Sequence, residues 1–71
     1  MKNKLTNEEL IKVQELQTKY KTVYKQRDGQ AFFNALYFLF PNTADEIRNT
    51  EFDTFYMDKN IDKCIKRIVG E

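Results

Sequence analysis

Residues 29–40, GQAFFNALYFLF, constrain this chain more than any other stretch. Four of its six Phe residues fall here, beside Leu36, Leu39 and Tyr37, and Pro41 closes the run. A helix that is apolar nearly all round belongs in an interior. In a chain of 71 residues the other segments must cover it, or a partner must. A chain of this size buries only about 60% of the surface its unfolded form exposes, so the core is small. Below about 70–80 residues a lone core rarely supplies more than a few kcal/mol. Partner binding or a homo-oligomer is therefore expected.

The helix itself is expected over about 30–40. Ala31 and Ala35 are four apart and give it one flat face for close helix approach. Phe32, Leu36 and Leu39 share one side, and Phe33, Tyr37 and Phe40 another. Gln30, Asn34 and Tyr37 draw a thin polar line along it. Buried amides need partners. Gln30 and Asn34 either bond to loop backbone, the simpler reading, or line a contact surface.

Before it, residues 1–5 are expected to fray. Thr6 and Glu9 have capping-box spacing and open a helix running to about Gln26. Leu10, Val13, Leu16, Tyr20, Val23 and Tyr24 fall on one helical stripe. Ile11 points away from it. Glu8–Lys12 and Glu15–Lys19 are i,i+4 pairs in the favourable order. Asp28-Gly29 is expected to break this helix, since Gly accepts positive φ.

After it, Pro41 ends the central helix. Thr43 and Glu46 repeat the capping-box spacing, which predicts a turn or two of helix at 44–49 with Ala44 and Ile47 inward. Residues 50–58, TEFDTFYMD, hold too many apolar groups for a free loop. A lid over the core is the default, with Asp53 capping a short turn. An exposed aromatic and acidic patch is the alternative. Asp58 or Asn60 is expected to cap a last helix at about 60–69, with Ile61, Cys64, Ile65, Ile68 and Val69 on one face. Gly70 is its natural stop. Cys64 reads as a small core residue. The whole is expected to be all-α, a compact array of about four helices in a single domain.

Composition narrows the function classes. One Cys and no His exclude an internal disulfide and the usual zinc ligand sets, so no cofactor or metal is expected. Residues 1–5 are polar and no apolar segment follows them, so no signal peptide is read. The longest apolar run is about half the length of a membrane span. A cytoplasmic protein that does not enter the membrane is expected. Net charge is only +1, but its distribution is basic, acidic, basic. Residues 28–58 hold Arg48 alone against six Asp and Glu. The folded arrangement is expected to intermix these signs.

One pattern stands out along the chain. Arg27-x-Gly29-Gln30-(x)3-Asn34, then Pro41, then Arg48-x-Thr50-(x)2-Asp53-x-Phe55-Tyr56-x-Asp58 resembles a group of small proteins encoded by tailed bacteriophages and prophages. In that group a GQ…N segment is followed by a D-P-F-Y segment. The resemblance covers about residues 20–68, and Thr54 stands where the group has Pro. It implies a phage accessory protein, and such proteins commonly bind and redirect a host protein.

Catalysis has little to work with: His is absent, the chain leaves scant room for a substrate pocket, and no phosphate-loop or dinucleotide motif occurs. A protein-binding module is the reading adopted, with Phe52, Phe55, Tyr56 and Met57 as the apolar anchor and Asp53 and Asp58 as its charged rim. Nucleic-acid binding is the alternative, through Lys19, Lys21 and Lys25 of the first helix and Lys63, Lys66 and Arg67 of the last.

Overall fold

The computed structural model describes residues 4–69, and it is all-α, with four α-helices and no strand among them. Helix α1 spans Asn7–Tyr24, α2 Asp28–Leu39, α3 Pro41–Ile47 and α4 Ile61–Ile68, the last preceded by a 3-10 turn over Asp58–Asn60. The Cα radius of gyration is 10.8 Å, against about 11 Å for a compact chain of this length.

Helix α1 begins as its sequence dictates. Thr6 Oγ1 accepts from the Glu9 N–H at 3.1 Å, and Glu9 Oε1 accepts from the Thr6 N–H at 2.9 Å. Two orphan N–H groups are thereby satisfied. The end of α1 departs from expectation. It closes two residues early, and the left-handed residue is Lys25, at φ 59°, not Gly29. Lys25 and Gln26 both turn their N–H groups back to the Tyr20 carbonyl, the second at 3.4 Å. Val13 is fully buried, while Val23 and Tyr24, the tail of the apolar stripe, are exposed. Ile11 is exposed as expected. The pairs Glu8–Lys12 and Glu15–Lys19 do not close: all four side chains lie in solvent, where such a pair is worth only a few tenths of a kcal/mol.

Helix α2 is the centre. Ala31, Phe32, Ala35 and Leu36 are fully buried, and α2 packs most extensively against α1. Burying Phe32 and Leu36 supplies about 1.5–3 kcal/mol each. The burial is nonetheless one-sided. Tyr37 is exposed and Phe38 is 70% exposed. Residues 30, 34, 37 and 38 fall at i, i+4, i+7 and i+8, so Phe38 completes the polar line rather than the core face.

Gly29 lies inside α2, and its φ is not positive. It is there for room. A Cβ on Gly29 would fall well inside contact distance of the Thr54 carbonyl oxygen and 2.8 Å from Asp58 Oδ1.

Helix α3 starts at Pro41, not at Thr43, which is buried one turn in. Pro suits a first helical position because it has no N–H to satisfy and a φ already near helical. Ala44 and Ile47 point inward as expected.

The expected fraying of 1–5 does not hold for its last two residues. Leu5 is buried, its N–H donates to the Ile68 carbonyl at 2.7 Å, and it forms an isolated parallel bridge with Val69. Lys4 Nζ donates to the Arg67 carbonyl at 2.7 Å. The rest of that expectation, and the stop at Gly70, lie outside the described residues. Leu5 is held because its side chain joins the core cluster with Val13, Ile47, Cys64 and Ile68.

Burial pushes the Cys64 thiol from an ordinary value of 9.0 up to about 12, and the Asp53 carboxylate adds to the rise. A thiol held neutral is unreactive at neutral pH. The unfolded chain releases this proton above about pH 9 and the folded chain does not, so this group's contribution to stability is complete below pH 9 and is lost as pH climbs toward 12.

Two tests follow from this packing. Gly29→Ala should destabilise by about 1–3 kcal/mol in chemical denaturation, overpacking outweighing the better helix propensity of Ala, whereas Lys25→Gly, which relieves a left-handed non-glycine, should stabilise by up to about 1 kcal/mol. Cys64 should resist a thiol reagent at pH 7 and react at full rate in denaturant, and the pH 9–12 fall in thermal midpoint should be shallower in Cys64→Ala.

Candidate functional site

Residues 48–60 carry most of the quoted motif, and two of their side chains, Thr54 and Asp58, bond to the start of α2. Asp58 Oδ1 accepts from the Gly29 N–H at 2.9 Å and from Arg27 Nη1 at 2.9 Å. Arg27 Nη2 also donates to the Phe55 carbonyl at 2.6 Å. Thr54, fully buried, donates through Oγ1 to the Gly29 carbonyl at 2.9 Å. Asp58 therefore caps the N-terminus of α2 from 29 residues along the chain, where a carboxylate meets both orphan N–H groups and the positive end of the helix dipole. Neither Asp58 nor Asn60 caps α4 with its side chain. Asn60 Nδ2 donates to the Asp53 carbonyl at 2.9 Å.

Asp53 folds its own loop. Oδ1 accepts from the Phe55 N–H at 2.9 Å, the expected Asx turn, and Oδ2 accepts from the Asn49 N–H at 2.7 Å. Asn49 sits at φ 63°, a conformation Asn tolerates. The bonds do not take these groups off the surface: Asp53 lines the groove described next, and the Asp58 side chain is half-exposed. Both carboxylates are committed to backbone N–H groups, which hold the loop in shape.

Residues 50–58 are lid and patch together. Phe52 and Phe55 are half-buried against the core, while Tyr56 is 77% exposed and Met57 45% exposed. Phe55 meets the Phe33 ring edge-on at 5.9 Å between centroids and the Tyr56 ring at 4.9 Å. Phe33 stacks on Tyr37 at 6.4 Å. The Arg48 guanidinium lies 5.1 Å from the Tyr37 centroid and 5.8 Å from that of Phe33.

Phe33, Tyr37, Arg48, Phe55 and Tyr56 line a surface groove of about 370 Å³ with Asn34, Asn49 and Asp53, while Phe52 and Met57 lie outside it. Four aromatic rings make it an apolar trough, walled by one cation, the Arg48 guanidinium, and one carboxylate, Asp53. A second cleft, about 320 Å³ beside Lys4, Glu9 and Asn42, is lined largely by polar groups. Two of these are already used: Lys4 holds Arg67 and Glu9 closes the capping box. The aromatic groove is the candidate site.

Of the helical wall of this groove, sequence reasoning offered only Asn34, as an alternative contact residue, and did not single out the rings of Phe33 and Tyr37. Phe33 and Tyr37, four apart, point to one side of α2, and Asn34 donates to Gln26 Oε1 at 3.2 Å rather than to loop backbone. Arg48 already stood in the quoted motif as the lone cation of 28–58. That was a usable signal.

The basic residues of the alternative reading lie on α1, the turn after it, and α4. Lys21 pairs with Asp28, and the Arg67 guanidinium lies 5.8 Å from the Phe52 ring centroid. Lys19 on α1, Lys25 in the turn after it, and Lys63 and Lys66 on α4 are exposed. The charge blocks do intermix: Lys21–Asp28 and Arg27–Asp58 join the basic first segment to the acidic middle.

Among the described residues no three His, Cys, Asp or Glu side chains come together as a metal-binding group, and no helix is long and apolar enough to cross a membrane. No family model, curated protein or solved structure matches the chain.

Asp58→Ala removes an acceptor shared by Gly29 and Arg27. It should cost about 1–2 kcal/mol, the scale of a lost N-cap, and the Gly29 amide should exchange with solvent markedly faster in hydrogen-exchange NMR. Unchanged exchange at Gly29 would show that Asp58 does not hold this end of the helix.

Proposed function

We propose that this chain is a small non-catalytic binding protein that acts by occupying the surface of a protein partner through its aromatic groove. The observation that carries the reading is the exposure of large apolar side chains beside that groove, Tyr56 at 77% above all. In so small a fold such surface adds nothing to the interior, and Tyr, Phe, Met and Arg are the residues that partner interfaces favour. The loop beneath is held by charge-assisted hydrogen bonds, so the rings are presented on a rigid base and little ordering entropy is lost on binding.

The resemblance to small phage-encoded proteins fits this reading. It makes a host or phage protein in the bacterial cytoplasm the expected partner, and modulation of that partner the expected outcome. Nucleic-acid binding through the two basic helices remains the alternative use of the surface, and the test is built to separate the two.

Tagged protein is used to capture partners from a bacterial lysate with and without nuclease, beside a Tyr37→Ala/Tyr56→Ala variant. Both substituted rings are exposed, so the variant should keep its thermal midpoint to within a few degrees. A nuclease-resistant partner at near-equal stoichiometry, retained by the parent chain and lost by the variant, is the expected result. Retention that disappears with nuclease and survives the double substitution would assign the function to the basic helices instead.

A further inference from the structure

Arg48 is the cation in the lining of the groove. Its guanidinium is half-exposed and seated against the Tyr37 and Phe33 rings. Its one ion-pair neighbour among the described residues is Asp45, at 3.6 Å, beyond hydrogen-bond length. No hydrogen bond from the guanidinium to a described residue is formed. Asp53, the carboxylate that lines the groove, has both oxygens turned to backbone N–H groups. The groove thus offers a planar cation with open donors, set over two rings beside an apolar trough that also holds the Asp53 carboxylate. The fork of a guanidinium matches a carboxylate with two parallel hydrogen bonds, and stacking on rings fixes its plane beforehand.

We infer that the partner segment bound here is a short acidic-apolar peptide, with a Glu or Asp carboxylate on Arg48 and a neighbouring Leu, Phe or Tyr side chain in the trough between Tyr37 and Tyr56. This rests on the groove being the binding site, and it adds the chemistry of the ligand. The groove's volume, about 370 Å³, lies at the low end of the range for small-ligand pockets, about 300–1,000 Å³, and suits one or two side chains. A polyanionic strand is disfavoured, because phosphate tracking needs several cations in a row and Arg48 stands here beside Asp45.

The test is selection of random displayed peptides on the immobilised full chain, repeated on Arg48→Gln and Arg48→Lys, with folding checked by circular dichroism. Enriched peptides should place an acidic residue within a few positions of a large apolar one. Their affinity should fall about tenfold or more for Arg48→Gln and only partly for Arg48→Lys, which keeps the charge and loses the fork. Amide shifts at Phe33, Tyr37, Asn49 and Phe55 should report the contact. Apolar peptides without an acid, held equally by Arg48→Gln, would overturn the acidic requirement and leave the binding-module reading standing. No enriched peptide at all, or oligothymidylate binding that salt abolishes, would overturn both. A homodimer in sedimentation equilibrium that buries Tyr56 would overturn it in favour of a second copy as occupant.

Discussion

The carboxylate of Asp58, set between the Gly29 amide and the Arg27 guanidinium, is the interaction on which the rest of this structure depends. It answers two needs with one group. The central helix starts without a local side-chain cap, since Arg27 occupies that position. The irregular segment that follows α3 needs an attachment to the interior. An exposed Arg–Asp pair alone would contribute little. Here the same oxygen also accepts a partly buried backbone N–H, and such charge-assisted bonds are roughly twice as strong as neutral ones. Gly29 is the condition for this arrangement, because any side chain there would push the loop off the helix.

Most of the architecture was legible in the sequence. Helical periodicity gave four helices of the right order, the Thr6–Glu9 box placed the first boundary, and Pro41 placed the junction of α2 and α3. The misplacements share a cause. Gly29 looks like a breaker from its neighbours alone, and Asp58 like a local cap. Both are explained by a contact between residues 29 positions apart, and no local signal encodes that contact. Leu5 was missed for the same reason: its partners are Ile68 and Val69. Lys25 shows the converse. Where tertiary contacts fix the turn, a residue without glycine's freedom is carried into the left-handed region.

The candidate site was half legible. Phe55 and Tyr56 could be read from aromatic density in 50–58, and Asp53 does line the groove, but the backbone N–H groups that Asp53 and Asp58 bind could not be read. Composition says that a segment is acidic and aromatic; it cannot say which groups the backbone will claim. Helix α2 was expected to be interior because it is apolar nearly all round, yet Tyr37, read on its polar line, and Phe38 are exposed. The polar line of Gln30 and Asn34 marks the outward face at helical spacing, and both rings fall along it. The quoted motif is largely the clasp itself, Arg27, Gly29, Asp53, Phe55 and Asp58. A pattern of that kind speaks first for how the loop is held, and only through the rings it presents for what the molecule meets.

The bridge between Leu5 and Val69 has a topological consequence. With the Leu5 N–H bonded to the Ile68 carbonyl across a parallel step, the two ends of the described chain lie side by side, and a short linker could join them into a ring. The linear order of the helices is then one choice of cut among several. The corner at Lys25, exposed and left-handed, is another point at which the ring could open. A permuted order beginning there would keep the clasp between Asp58 and Gly29 intact, because both of its halves would still lie on the same side of the new ends.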